Sequence, residues 1–409
     1  MADILEIRLH RKPIETLTNF PGDRSLFSFN DDYINDYDRD TLSLSFFDDL
    51  GELKTRLRPT QTRIIPFLAN LLPEGPMRDY LARRASVHPR REFYILWALG
   101  TDLPGAISTE SISTQPTLPG LDEANQDEDV RKSERPNALR FSLAGVQLKF
   151  SAVAEASGGL TIPVDGVGGS WIVKLPSTRF EGVPENEFTV MSLAKKVGID
   201  VPEIALVPIN ALQGLPDGID TVGSNALAIK RFDRQEDGDA VHIEDFAQVF
   251  SVYPERKYEK ANYRNIAEVI WREVGAQGIS EFIRRLVFNA LIGNADMHLK
   301  NWSLIYPDRR TPALAPAYDL LSTVALLPDN NMALNVARTR RFDEFNLDEL
   351  AYLAAKARLP RKLVLDTARE TVERFMEIWS AEKAHLSLTA ESVARIDRHI
   401  ATMPLVSET

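Results

Sequence analysis

The sequence contains no cysteine among its 409 residues. Disulfides, thiol nucleophiles and cysteine-bound zinc are therefore excluded, and the absence agrees with a reducing cytoplasm, where we expect the protein to reside. Apolar runs long enough to cross a membrane are also missing. The first residues, Met-Ala-Asp-Ile-Leu-Glu, carry acidic groups in an alternating pattern and no basic flank with an apolar core, so we expect no signal peptide and no membrane association.

Histidine and net positive charge are scarce as well. The six histidines are scattered, and none is paired at the spacing of metal ligands, which argues against a zinc site. The net charge of -11 argues against a protein that grips DNA alone. The best local candidates for a DNA contact are arginines within 83–91 and 338–341, although such runs are more often solvated faces.

The rest of the composition is that of a soluble globular protein, and its length predicts more than one packed unit. Residues 1–107 begin with short alternating segments and continue with helical spacing. Residues 108–137 are rich in Ser, Thr, Pro and acidic groups, which predicts a flexible acidic linker. Strands and one helix are expected over 138–232, and mostly helices over 233–409. This order predicts an α+β fold.

The segment Gly293–Leu304, Gly-Asn-Ala-Asp-Met-His-Leu-Lys-Asn-Trp-Ser-Leu, carries the most informative pattern. Asp296 and Asn301 form Asp-x-x-x-x-Asn, and Asp319 follows in Ala-Tyr-Asp-Leu-Leu-Ser. An ATP-dependent phosphotransferase needs one carboxylate to orient the attacking hydroxyl, and an amide with a second carboxylate to hold Mg²⁺. The alternative is that these residues cap a turn and that Asp319 is an ordinary loop carboxylate.

Lys174 lies within an apolar strand, Trp171-Ile-Val-Lys-Leu-Pro, where its ammonium group needs an anionic partner or a route to solvent. A nucleotide phosphate is such a partner. Glu187, in the helix expected from about Asn186 to Val197, is another, by analogy with the strand lysine and helix glutamate of protein kinases. An edge-strand position on the wet face is the open alternative.

A stretch with small residues precedes this strand, from Ser142 to Lys149. Backbone amides there could approach a phosphate closely, although a plain hairpin turn explains the pattern equally well. The small residues that would allow this approach are Ala144 and Gly145.

Lys230, Arg231 and Phe232 close a later strand at the entry to the helical region. A two-lobed kinase places there the hinge whose backbone binds adenine, and the alternative is an ordinary strand end with a buried phenylalanine. His298 is a positioning or nucleotide-contacting residue if the protein is a kinase, and otherwise a histidine in a turn.

In this order the segments closely resemble the HipA-type serine/threonine kinase toxins of type II toxin–antitoxin systems. The matching segments are Ser-Leu-Ala-Gly-Val-Gln-Leu-Lys, Ile-Val-Lys-Leu-Pro, Ala-Ile-Lys-Arg-Phe-Asp-Arg, Gly-Asn-Ala-Asp-Met-His-Leu-Lys-Asn and Ala-Tyr-Asp-Leu-Leu-Ser, with Leu-Ala-Asn-Leu-Leu-Pro-Glu-Gly-Pro near the N-terminus. The resemblance implies a two-lobed protein-kinase-like fold, with a strand-rich N-lobe, a helical C-lobe and an additional N-terminal subdomain.

The resemblance also implies roles for individual residues. Asp296 would be the catalytic aspartate, Asn301 and Asp319 the Mg²⁺ ligands, and Lys174 a phosphate contact. The flexible phosphate loop would consist of Ala144, Gly145, Val146, Gln147, Leu148 and Lys149, and the adenine-binding hinge of Lys230, Arg231 and Phe232. Ser142 matches the serine that the family autophosphorylates, and phosphate there would eject the neighbouring loop. Implied partners are ATP, a small helix-turn-helix antitoxin, DNA only through that antitoxin, and a protein substrate such as an aminoacyl-tRNA synthetase. Met297 and Leu299 depart from the family's Asp-Gly-His-Ala-Lys-Asn, although neither side chain is needed to bind a metal.

Three functions therefore stay open at this point. The first is an active protein kinase that acts as a toxin. The second is a catalytically silent partner that holds an antitoxin on DNA, and the third is a small-molecule kinase of the same broad fold. The set Lys174, Asp296, Asn301 and Asp319 favours the first, because a silent protein has no physical need for all four.

Overall fold

The computed structural model describes residues 3–84, 86–100, 102–112, 149–154, 160–162, 169–177, 179–215 and 223–409. Ser142 and the predicted phosphate loop from Ala144 to Leu148 lie outside the described residues, as do residues 113–137 of the predicted linker.

The N-terminal unit combines an antiparallel sheet with four α-helices in the described residues. Its strands, in the spatial order β4-β3-β2-β1-β5, are β1 (Asp3–Leu9), β2 (Lys12–Phe20), β3 (Arg24–Phe29), β4 (Thr60–Gln61) and β5 (Ile107–Ser111). A short helix α1 (Asp31–Asn35) follows β3, and α2 (Pro66–Ala69), α3 (Gly75–Arg84) and α4 (Glu92–Leu99) follow β4. Side chains of β1 alternate between buried and partly exposed, so one face of the strand packs in a core shared with α2 and α4, as the sequence pattern predicts. Because β5 pairs with β1, this sheet runs past the boundary predicted at residue 107.

The second unit is a six-stranded sheet in the described part of the chain, with the order β10-β7-β6-β8-β11-β9. Its strands are β6 (Lys149–Ala154), β7 (Leu160–Thr161), β8 (Trp171–Lys174), β9 (Ile204–Pro208), β10 (Leu212–Gln213) and β11 (Asn225–Lys230). Helix α5 (Val183–Val197) crosses between β8 and β9. It ends at Gly198, whose φ of 96° closes the last turn as predicted, and it begins before Asn186 because Pro184 fits its first turn.

The third unit is mainly helical, as expected. Its helices are α6 (Phe246–Val249), α7 (Tyr263–Glu273), α8 (Ala276–Leu291), α9 (Leu347–Lys356), α10 (Arg361–Glu382), α11 (Ala390–Ala401) and α12 (Pro404–Ser407). A small sheet that the sequence did not predict joins β12 (His242–Asp245), β13 (Ser303–Tyr306) and β14 (Ala313–Leu314). Each strand has four residues or fewer, too short for a clear alternation.

A strand-rich lobe followed by a helical lobe, with a separate unit before both, matches the predicted α+β architecture. Between residues 3 and 409, as far as they are described, the structure contains no helix that is both long and apolar enough to cross a membrane.

Candidate active site

A cavity of about 790 Å³ is lined by all three units of the protein. It collects every described residue that the sequence put forward for the site: Lys149, Lys174, Glu187, Lys230, Arg231, Phe232, Asp296, His298, Asn301 and Asp319. In the sequence these residues are widely separated, from Lys149 to Asp319. Their convergence on one cavity is the arrangement that the kinase hypothesis requires.

The segment that carries Asp296 is fixed by the end of helix α8. Gly293 has a φ of 66°, and a Cβ there would lie 2.4 Å from Val324 Cγ2, so both the backbone and the space require glycine. Asn294 then donates from Nδ2 to Asn289 Oδ1 at 2.8 Å, while its Oδ1 accepts the N–H of Asp296 at 3.0 Å. The polar side chains after the helix therefore set the position of Asp296.

Asp296 is held at both its side chain and its backbone. The Tyr258 hydroxyl donates to Oδ1 of Asp296, and Asn301 Nδ2 donates to the Asp296 carbonyl at 2.9 Å. Burial raises the pKa of Asp296, and Tyr258 and Lys257 act in the opposite direction. Because the nitrogen of the Asn301 amide is engaged, its oxygen is the atom left to bind a cation.

Lys174 joins the two lobes through carboxylates. Its Nζ lies 2.5 Å from Glu187 Oε1 on α5, which confirms the predicted pair, and it also pairs with Asp319 Oδ1. The wet edge-strand alternative is wrong, because Lys174 is only 6% exposed and β8 lies between β6 and β11. Burial alone would raise the pKa of Asp319, but Lys174 and Lys149 hold it well below its usual range, so the carboxylate is charged. A φ of 54° at Asp319 is an uncommon backbone conformation for a non-glycine residue.

Lys149 and His298 complete the polar wall. Lys149 lies opposite Lys174 in the register of β6 and β8, and burial lowers its pKa to about 8. Burial also lowers the pKa of His298 to about 3, which leaves the imidazole neutral. Its ring meets that of Tyr258 edge-on, with the centroids 4.9 Å apart.

The strand end at Lys230, Arg231 and Phe232 lines the same cavity. The Lys230 and Arg231 N–H groups donate within the protein, at 2.8 Å each, to the carbonyls of Glu203 and Ser170. The hinge hypothesis therefore depends on the backbone of Phe232 and on the carbonyl groups. Phe232 is not a fully buried core residue, and its ring lies 5.8 Å from that of Tyr318.

The guanidinium group of Arg231 points away from the hinge and belongs to a buried ion cluster that the sequence did not predict. Arg231 lies 2.8 Å from Asp102 Oδ1 and 2.7 Å from Asp233 Oδ2. Arg234 contacts the same two carboxylates, and Ser151 Oγ donates to Asp102 Oδ2 at 2.7 Å. Asp102 belongs to the N-terminal unit, so this unit directly supports the candidate hinge. In the sequence, the only indication of such a cluster was the short run of charged residues in Arg-Phe-Asp-Arg.

A second contact from the N-terminal unit reaches the cavity itself. Glu74, in the turn before α3, lies 3.0 Å from Lys257 Nζ and 2.8 Å from Lys300 Nζ. Lys300 also donates to the Asn70 carbonyl at 3.0 Å. Burial would raise the pKa of Glu74, but the two lysines lower it to about 2. Lys300 lies in the segment already singled out, and Glu74 lies in the N-terminal match Leu-Ala-Asn-Leu-Leu-Pro-Glu-Gly-Pro, but nothing in the sequence indicated that the two would pair.

Three of the arginines considered as DNA contacts have carboxylate partners on the protein. Arg91 lies 2.6 Å from Asp23, Arg338 2.6 Å from Glu349, and Arg341 2.5 Å from Asp343. The charges of these three arginines are therefore compensated within the protein, and they are weaker candidates for a DNA contact.

Comparison with known proteins identifies the family. The model of the HipA-like C-terminal domain matches residues 141–379, and that of the HipA N-terminal domain matches residues 5–110. The chain belongs to the HipA family. A protein of Sinorhizobium fredii named "Putative kinase Y4dM" is 56% identical over 99% of this chain and 98% of its own length. The "Serine/threonine-protein kinase toxin HipA" of Shewanella oneidensis is 27% identical over 77% of this chain and 76% of its own.

A solved structure shares the fold. HipA of Shewanella oneidensis, in a complex with HipB and operator DNA, superposes with a TM-score of 0.70 at 23% identity, covering 99% of this chain and 98% of that one. The predicted family and the two-lobed kinase-like fold are thus confirmed.

Proposed function

We propose that this HipA-family protein is an ATP- and Mg²⁺-dependent serine/threonine protein kinase that acts as the toxin of a toxin–antitoxin pair. The observation that carries the proposal is the ion chain Glu187–Lys174–Asp319, in one cavity with Asp296 and Asn301. A lysine buried between two carboxylates of different lobes is poised to bind phosphate oxygens.

The donor set fits the proposed metal ion. Among the described residues there is no group of three or more His, Asp or Glu side chains that could hold a metal by itself. Asp319 and Asn301 offer one carboxylate and one amide oxygen, and Mg²⁺ is usually held by few protein ligands together with phosphate oxygens and water. When bound, Mg²⁺ would neutralise the charge of the phosphates.

The side chains of the protein would perform the remaining steps of phosphoryl transfer. Lys174, held by Glu187, orients the phosphates, and Asp296 orients the acceptor hydroxyl and receives its proton. The acceptor oxygen forms a bond to the γ-phosphorus of ATP while the bond from that phosphorus to the β–γ bridging oxygen breaks, and ADP leaves. His298, being neutral, can contact nucleotide without adding charge.

Ser142 is proposed as a site of autophosphorylation, with ATP phosphates also held by the loop from Ala144 to Lys149. The partners proposed are a helix-turn-helix antitoxin, DNA through that antitoxin, and a translation-related acceptor such as an aminoacyl-tRNA synthetase. Support for the antitoxin comes from the similarity to HipA in its complex with HipB and operator DNA.

The test is phosphoryl transfer by the purified full-length chain with Mg·ATP. Wild type should gain phosphate in intact-mass spectra, at Ser142 after peptide mapping, and should melt at a higher temperature with Mg·ATP. Asp296→Asn should lose the phosphate but keep the ATP-dependent shift, whereas Asp319→Asn should lose both. Asp343→Asn, at an exposed carboxylate outside the cavity, is the matched control and should behave as wild type.

The alternative, a catalytically silent corepressor, makes the opposite forecast. If wild type gains no phosphate and shows no ATP-dependent melting shift, yet still binds its antitoxin, the kinase proposal is wrong. Phosphoproteomics after expression of wild type and Asp296→Asn would name the acceptor.

A further inference from the structure

A second cleft, of about 380 Å³, opens beside the candidate active site. Its polar lining includes Tyr258, Lys260, Asn262, Asn265, Asn335 and Arg340. Tyr258 lines this cleft and the large cavity alike. The two depressions are therefore neighbours, and this one residue stands between them.

Tyr258 marks the place where an acceptor hydroxyl is expected. Its own hydroxyl donates to Asp296 Oδ1, which is the contact that an attacking serine or threonine makes with the aspartate of a kinase. The side chain is accessible, since Tyr258 is 43% exposed. A segment of protein lying in the cleft could bring its hydroxyl to Asp296 by taking the place of this phenol.

The charge of the cleft is positive although the chain is acidic. The carboxylate of Glu259, which also lines it, lies 3.4 Å from Arg256. Lys260 and Arg340 are exposed, and within the described ranges neither has a carboxylate partner within 4.0 Å.

The framework around these cations is ordered by hydrogen bonds. Asn262 and Asn265 cap the start of α7 reciprocally, at 3.0 and 3.2 Å, and the Arg340 carbonyl accepts the N–H of Met332 at 2.7 Å. The side chains of Lys260 and Arg340 therefore extend from a backbone that hydrogen bonds hold in place.

We propose that this cleft binds the acceptor protein and selects serine or threonine hydroxyls that have acidic residues beside them. The inference rests on the proposed kinase function and specifies its substrate class. Lys260 and Arg340 pair with the acidic side chains, and the acceptor hydroxyl displaces Tyr258 from Asp296. The proton of this hydroxyl passes to Asp296 as its oxygen bonds to the γ-phosphorus of ATP, while the bond from that phosphorus to the β–γ bridging oxygen breaks and ADP leaves.

The experiment compares two short synthetic peptides with full-length protein and Mg·ATP: one serine flanked by glutamates, and the same peptide with glutamines. Exposed charge pairs are each worth up to about a fivefold change in affinity. We therefore expect kcat/KM to be about three- to tenfold higher for the glutamate peptide, and the difference to shrink at high salt. The double variant Lys260→Ala/Arg340→Ala should abolish the preference mainly through KM, while its ATP-dependent melting shift stays unchanged.

Lys362→Ala is the matched control, because Lys362 is an exposed lysine on α10 that lines neither cavity. It should keep the preference. Equal rates for the two peptides, or a preference that survives in the double variant, would overturn the proposed cleft while leaving the kinase proposal intact. Failure of the kinase proposal looks different, since wild type would then transfer no phosphate to itself or to either peptide.

Discussion

Removing one charge from the buried cluster at the hinge tests how the N-terminal unit is attached. Asp102→Asn keeps the shape of the side chain and removes its charge. Arg231 and Asp102 are 0% and 3% exposed at their side chains, and the cluster holds two arginines, Arg231 and Arg234, against Asp102 and Asp233. The substitution therefore leaves one positive charge buried without compensation.

The structure sets the size of the effect. Breaking a buried pair by removing one partner costs about 3–5 kcal/mol, because the remaining charge has lost both solvent and partner. Asp102 accepts from Arg231, Arg234 and Ser151, so the change weakens three contacts at once. Asparagine can still accept at one oxygen, and we expect the lower end of that range, about 3 kcal/mol.

The assay is urea unfolding of full-length protein, followed by tryptophan fluorescence and by far-ultraviolet circular dichroism. The matched control is Asp38→Asn, because Asp38 lies 2.7 Å from Arg310, close to the 2.8 Å between Asp102 and Arg231, but with side chains 86% and 50% exposed. Exposed ion pairs contribute little to the free energy of unfolding, so the urea midpoint of Asp38→Asn should be close to that of wild type. If Asp102→Asn and Asp38→Asn shift the midpoint equally, burial does not decide the strength of these pairs and the reasoning fails.

Three further outcomes follow from other contacts. Burial raises the pKa of Glu244 from 4.5 to about 7, so the free energy of unfolding of wild type should fall as pH rises through this range. Glu244→Gln should not show this fall. Above pH 7 its free energy of unfolding should be higher by roughly 3 kcal/mol relative to wild type in unfolding titrations. Gly293→Ala should lower the melting temperature far more than Gly22→Ala, since both glycines have positive φ but only the first has Val324 within 3 Å of a new Cβ. Tyr258→Phe should raise kcat/KM for the serine peptide a few fold, because no phenol competes for Asp296; a slower variant would contradict displacement.

Local chemistry in the sequence was sufficient to locate much of the candidate site. Lys174 stood out because an ammonium in an apolar strand needs a partner, and Glu187 was the nearest carboxylate on the helix predicted from about Asn186. Asp296, Asn301 and Asp319 stood out by spacing and by residue type. The helix after β8 was predicted with its correct end, because Gly198 gives a clear stop signal.

Contacts between distant segments could not be predicted in this way. Tyr258 lies 38 residues before Asp296 in an irregular segment, and its hydroxyl meets the carboxylate only after the helical lobe has folded. The small sheet of β12, β13 and β14 was missed for a related reason: pairing between segments about sixty residues apart, Glu244 with Leu304, leaves no periodic signal in strands of four residues.

The N-terminal unit therefore takes part in the candidate site. Glu74 holds Lys257 and Lys300 beside Asp296, and Asp102 holds Arg231 beneath the hinge. A chain that began near residue 141 would keep the predicted catalytic residues but would remove a carboxylate partner from four buried or largely buried cations, Lys257, Lys300, Arg231 and Arg234. Because uncompensated buried charge is costly, such a fragment should fold poorly or rearrange its cavity. A kinase assay on the isolated C-terminal domain would thus test the loss of these contacts as much as the chemistry of Asp296.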